Sequence, residues 1–326
     1  MLKIIMVNAL LVLSFITMAQ KNGDIINKIS IQNSEELSVY VKNTENRTNA
    51  SFNKERYKSI KEINLFGITY YSDGLKVNGF LLIPNSDEKF PVIIYNRGGS
   101  FNFGSLTTNG SIRLGELAKI SAQGYIIVAS QYRGNGGGEG REEFGGSDVN
   151  DVLNLFPLID NLPQADIENI GMFGWSRGGM MTYISNTRTN RLKAIAVGGA
   201  LSDLKSSFDD RPDWGEYIAD SVSLYKQNEE EFLNSRSAIN LVDKFPLGVP
   251  ILMMHGTSDW RVKPSCALAM ALEFDKYRIP YKLIMYDGAD HAILEHKQDV
   301  FDQLINWFDR FLKNNEPVPD MKYHGK

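Results

Sequence analysis

Three residues of this 326-residue chain combine a nucleophile, a base and an acid in one order, Ser176, Asp259 and His291. Ser176 lies in Gly174-Trp-Ser-Arg-Gly178, a G-x-S-x-G pattern. Such a serine sits on a sharp turn from a strand into a helix, and the flanking glycines let the two backbones approach without a Cβ clash. Asp259 closes His255-Gly-Thr-Ser-Asp, directly after an apolar run. His291 follows Asp287-Gly-Ala-Asp290, at the end of the last apolar run of the chain. A hydroxyl, an imidazole that takes its proton and a carboxylate that orients the imidazole are the parts of acyl transfer through a covalent intermediate. The rivals for the base are His296, expected on the next helix, and His324 near the end of the chain. His255 reads as the structural end of its strand, and Asp287 and Asp290 lie too close in sequence to His291 to aim at it.

The oxyanion formed by attack needs donors. The backbone N–H of Arg177, directly after the nucleophile, is one. The loop Asn96-Arg97-Gly98-Gly99 is expected to supply the other, through Arg97 or Gly98. Trp175 beside the nucleophile, and Trp214 and Tyr217 further on, are the candidate substrate contacts.

The elements that must hold these residues follow from hydropathy. Residues 91–95, 125–130, 170–173, 194–197, 251–254 and 282–286 are continuous apolar runs, as expected of parallel strands covered on both faces. Residues 63–71 and 75–83 alternate around Ser72-Asp73-Gly74, a hairpin signal. Helical patterns fall between the runs. One spans 148–162 with Pro157 as a kink, and the last places Phe301, Leu304, Ile305, Phe308, Phe311 and Leu312 on one face. This alternation predicts a doubly wound, mostly parallel α/β sheet, and the order Ser, Asp, His is that of the α/β-hydrolase fold. Residues 205–245, rich in charge and aromatics, read as a helical insertion that forms a lid.

The ends differ from the middle. Lys3 and the apolar Ala9–Met18 stretch, followed by Thr17-Met-Ala19, predict an export signal cleaved before Gln20. Residues 20–61 read as a short helical or partly ordered extension, 62–313 as the catalytic domain and 314–326 as a loose tail. Cys266 is the single cysteine and reads as core. A formal net charge of −4 offers no basic surface for nucleic acid. No stable membrane insertion is expected after cleavage, no metal or organic cofactor is called for, and nothing bars oligomerisation.

Tyr95-Asn-Arg-Gly-Gly, Tyr132-Arg-Gly-Asn-Gly-Gly-Gly, Phe144-Gly-Gly-Ser-Asp148, Gly174-Trp-Ser-Arg-Gly-Gly179 and His255-Gly-Thr-Ser-Asp-Trp-Arg-Val262 together resemble the catalytic domain of the prolyl oligopeptidase family, in that family's order. The resemblance runs from about Ile63 to Leu312. It implies a serine peptidase with Ser176, Asp259 and His291 in the three roles. Two features depart from it. Arg97 stands where many members carry a tyrosine that donates to the oxyanion, and about forty residues before the domain cannot build the β-propeller of the peptidase members. A carboxylesterase acting on acyl sugars or aryl esters is the alternative expectation. A non-catalytic binding protein is a third, disfavoured because all three positions are filled.

Overall fold

The computed structural model describes residues 20–31, 58–107 and 112–323. The export signal predicted for residues 1–19 lies outside them. One nine-stranded sheet runs through the molecule in the order β1-β2-β3-β5-β4-β6-β7-β8-β9. Strands β4 (Phe90–Asn96), β5 (Ile126–Ser130), β6 (Ala165–Trp175), β7 (Leu192–Gly198), β8 (Ile251–Gly256) and β9 (Tyr281–Tyr286) are parallel neighbours. The antiparallel strands β2 (Ile63–Ser72) and β3 (Leu75–Pro84) extend the sheet beyond β5.

The continuous apolar runs arise because both faces of these strands are covered. In β4, Val92 and Ile94 join one core cluster while Ile93 and Tyr95 join the other. In β8, Ile251 and Met253 oppose Leu252 and Met254 in the same way. Side chains alternate across a strand, so a run apolar at every position fills two layers at once. The β2–β3 hairpin pairs Ser72 with Leu75 across Asp73-Gly74, both with positive φ (51° and 79°), the mirror-image turn that the sequence signals.

Helix α1 (Ile112–Ser121) and helix α10 (Lys297–Phe308) contribute to one cluster, and α10 ends in a wide turn that buries Phe311 and Leu312. The helical pattern over 148–162 is two short helices, α2 (Val149–Leu153) and α3 (Leu155–Asp160). Pro157 has no N–H to bond the carbonyl of Leu153, so the ladder breaks at Asn154. Helix α4 (Arg177–Asn186) follows β6 and is buried along its whole length.

Of the extension read as a helical or partly ordered segment, residues 32–57 lie outside the described residues, and the described part contains a strand. Ile25–Ser30 forms β1, an edge strand paired antiparallel with β2. The insertion between β7 and β8 is helical as expected, with α5 (Leu204–Asp210), α6 (Pro212–Ser221), α7 (Ser223–Gln227) and α8 (Glu229–Arg236). Helix α9 (Pro264–Tyr277) returns to the sheet and buries Cys266, whose thiol burial pushes up to about 11, where a thiolate is scarce at neutral pH. In the tail, Arg310 pairs with Glu316 and the Arg278 guanidinium lies 3.5 Å from the Tyr323 ring centre. Among the described residues no helix is long and apolar enough to cross a membrane, and no group of three or more His, Cys, Asp or Glu is placed to hold a metal ion.

Candidate active site

Ser176 sits between β6 and α4 with φ 59° and ψ −123°, a region that residues with a Cβ rarely adopt. The glycines around it make that turn feasible. A Cβ on Gly174 would lie 2.0 Å from the Gly178 carbonyl oxygen, and one on Gly178 would lie 2.0 Å from that of Asn96. The Ser176 N–H bonds the Gly198 carbonyl at 2.8 Å, and its own carbonyl accepts from Gly179 and Leu201. The strained residue is therefore fixed from both sides.

Asp259 and His291 come from the loops after β8 and β9. His291 Nδ1 is 2.7 Å from Asp259 Oδ2. An ionised carboxylate can only accept, so the proton sits on Nδ1 and Nε2 is left free to act as a base. The other oxygen of Asp259 accepts from the Arg261 and Val262 N–H groups at 2.8 and 3.0 Å. His255 Nε2 donates to the Val262 carbonyl at 2.9 Å and lies 3.3 Å from Asp259 Oδ2. Burial pushes the Asp259 carboxyl up, but the hydrogen bonds from His255 and His291, the imidazole charge and the Val262 N–H outweigh it. The net result holds Asp259 well below the usual carboxylate range, so it is ionised at neutral pH.

His324 lies outside the described residues, and two other rivals, Asp290 and His296, are occupied elsewhere. Asp290 caps its own loop through the Ala292 and Ile293 N–H groups at 2.8 and 3.1 Å. The His296 ring lies against Tyr286, centres 5.2 Å apart. Gly199, with φ 48°, was not singled out by sequence: a Cβ there would stand 3.1 Å from His291 Nδ1 and press on the imidazole.

Sequence places the second oxyanion donor at Arg97 or Gly98. The Arg97 side chain is buried and committed elsewhere. Its guanidinium donates to the carbonyls of Gln131, Phe101, Gly98 and Phe103, and it pairs with Glu142 at 3.4 Å. It braces the loop after β4 and is not free to reach an oxyanion. Gly98 is the near residue: a Cβ there would be 3.4 Å from the Ser176 Cβ. Arg177 opens α4, where first-turn N–H groups have no carbonyl within the helix.

The Arg177 side chain is a further feature that sequence reasoning missed. It is buried, pairs with Glu142 Oε1 and Asp148 Oδ2, both at 2.6 Å, and lies between the rings of Tyr132 and Phe144, each 4.7 Å away. Burial pulls its pKa down, but the two carboxylates outweigh this and raise it. An arginine beside a nucleophile reads as exposed, and pairing across 29 to 35 residues has no sequence period. Arg177→Leu keeps the backbone donor but leaves two buried carboxylates without their cation. A loss of about 3–5 kcal/mol in urea unfolding is expected; a loss under about 1 kcal/mol would show that the pair has other compensation.

Two cavities meet at Ser176. The larger, about 520 Å³, is lined by Gly98, Trp175, Ser176, His291, Leu294 and Phe301 among others. Trp175 lies against this space, and its indole N–H also bonds the His291 carbonyl at 2.9 Å, fixing the loop that carries the imidazole. The smaller cavity, about 360 Å³, is lined by Phe144, Ser176, Leu201, Arg211, Trp214, Tyr217, Arg261 and Val262 among others. The insertion thus walls the site through Trp214 and Tyr217, held by ring contacts of Trp214 with Phe208 and of Tyr217 with Phe101.

Known proteins are similar to this chain. A sequence profile of the prolyl oligopeptidase family matches residues 112–315. The uncharacterized peptidase YtmA of Bacillus subtilis is 27% identical over 78% of this chain and 97% of its own length. Dipeptidyl aminopeptidase B of Saccharomyces cerevisiae is 26% identical over 78% of this chain but only 32% of its own. The acylaminoacyl peptidase of Pyrococcus horikoshii superposes with a TM-score of 0.69 at 24% identity, covering 81% of this chain and 44% of that one. The chain therefore spans nearly all of one relative and less than half of the larger ones.

Proposed function

The chain belongs to the prolyl oligopeptidase family of serine hydrolases, and we propose that it cleaves short peptides by acyl transfer through Ser176, His291 and Asp259. Its strongest support is the shared cavity: a serine held at φ 59° and an imidazole bonded to a buried carboxylate at 2.7 Å line the same space. The printed names of the relatives, a dipeptidyl aminopeptidase and an acylaminoacyl peptidase among them, support a peptide as the substrate.

His291 Nε2 takes the Ser176 proton as Oγ bonds to the substrate carbonyl carbon. Asp259 holds the tautomer and stabilises the imidazolium. The oxyanion rests on the N–H groups of Arg177 and Gly98. The imidazolium then gives its proton to the leaving nitrogen as the C–N bond breaks, leaving an acyl-enzyme and a free amine. Water, deprotonated by the same imidazole, attacks the acyl carbon; the proton returns to Ser176 and a carboxylic acid leaves. No step needs a metal or an oxidant.

An ester would use the same groups but asks less of them, because an alkoxide leaves with less protonation than an amine. A panel that pairs short aryl esters with aminoacyl and dipeptidyl anilides tests the peptide reading. Both classes are expected to turn over; ester cleavage without any anilide cleavage would reject the peptide and leave an esterase.

A further inference from the structure

The smaller cavity carries a charge that the reaction at Ser176 does not require. Three arginines line it, Arg177, Arg211 and Arg261, of which Arg261 also lines the larger cavity. Arg177 is neutralised by Glu142 and Asp148. Arg211 and Arg261 have no carboxylate within salt-bridge distance among the described residues. They are linked to each other, Arg211 Nη1 donating to the Arg261 carbonyl at 3.4 Å, and each lies over the exposed Trp260 ring, at 5.4 and 5.3 Å. Arg211 also lies 5.0 Å from the Trp214 ring, which fixes its direction along the cavity wall.

The nearby anions are already occupied. Asp210 pairs with Lys263, and Asp259 is held by His255, His291 and two backbone N–H groups. Burial, together with the charge of Arg261, lowers the Arg211 pKa. Two cations beside one cavity repel each other, and an anion placed between them relieves that cost.

Position decides which half of a substrate would bring the anion. The leaving group takes its proton from His291, which lines the larger cavity and not the smaller one. The smaller cavity touches Ser176 and so receives part of the acyl half. Its walls are apolar at Phe144, Leu201, Trp214 and Val262, with the two guanidinium groups among them. That combination fits a side chain with a short methylene stem and a carboxylate end.

We propose that this cavity selects an acidic residue, glutamyl or aspartyl, as the residue that donates the carbonyl to Ser176. The inference rests on the acyl-transfer reading and names its substrate class. Arg211 and Arg261 are the specificity-determining residues. They hold the carboxylate and take no part in proton transfer.

The test uses N-acetyl-glutamyl and N-acetyl-glutaminyl benzyl thioesters, equal in shape and different in charge, with release of the thiol as the readout. A thioester reports acyl selection even if amide bonds are poor substrates. The expected kcat/KM ratio, Glu over Gln, is at least about tenfold, and it shrinks with added salt. Arg211→Met and Arg261→Met should each lower the ratio, and the double variant should bring it near one. Arg261→Glu, a change at an exposed position, should shift preference toward the N-acetyl-lysyl thioester, which loss of packing alone would not do. Turnover with a ratio of one or less in the wild type, or a ratio kept by the double variant, overturns the inference and leaves the hydrolase standing. No hydrolysis of any thioester, with no labelling of Ser176 by a fluorophosphonate, overturns both together.

Discussion

His291→Ala is expected to lower kcat by about 10⁶-fold, the scale at which serine-protease triads respond when the base is removed. Without an imidazole at this position neither Asp290 nor His296 is free to take the Ser176 proton. Asp290 spends its carboxylate on the Ala292 and Ile293 N–H groups, and the His296 ring lies against Tyr286. His296→Ala should therefore be close to wild type in rate. An active His291→Ala beside a dead His296→Ala would transfer the role. Adding Ser176→Ala to His291→Ala should lower the rate little further, because the groups act as one unit.

Asp259→Asn is expected to cost about 10⁴-fold, because an amide in place of the carboxylate favours the wrong imidazole tautomer and no longer stabilises the imidazolium. A loss below about tenfold would move the acid to another carboxylate. The same residue predicts a pH dependence of stability. In the unfolded chain its carboxyl titrates near the ordinary value of about 3.9. In the folded chain the bonds from His255, His291 and Val262 depress it. A depressed carboxylate contributes stability that is complete above the unfolded value and is lost as pH falls through the folded one. Urea unfolding at decreasing pH should thus show wild type losing more stability than Asp259→Asn below about pH 4.

The fold was legible where physical chemistry leaves a local mark. Parallel strands such as β4 and β8 read as unbroken apolar runs because both faces are buried. The turn at Ser176 read from its glycines because a Cβ on Gly174 or Gly178 would lie 2.0 Å from a backbone oxygen. Strand β1 left no such mark. Five of its six residues are exposed, so it is held by backbone pairing to β2 and not by apolar side chains. At the site, the positions of Ser176, Asp259 and His291 followed from each lying after an apolar run. The roles of Arg97 and Arg177 did not. Both side chains are buried by partners distant in sequence, and composition reads an arginine as surface. The pairing of Trp175 with the His291 carbonyl was equally invisible, because a tryptophan in that motif reads only as a substrate contact.

The most direct test of the central claim is to treat the folded protein with a fluorophosphonate probe and map the modified peptide by mass spectrometry. The predicted result is a single adduct on Ser176, absent from a folded Ser176→Ala variant and formed far more slowly in His291→Ala. An adduct on another serine, or labelling that persists in Ser176→Ala, would contradict the assignment of the nucleophile and the mechanism built on it.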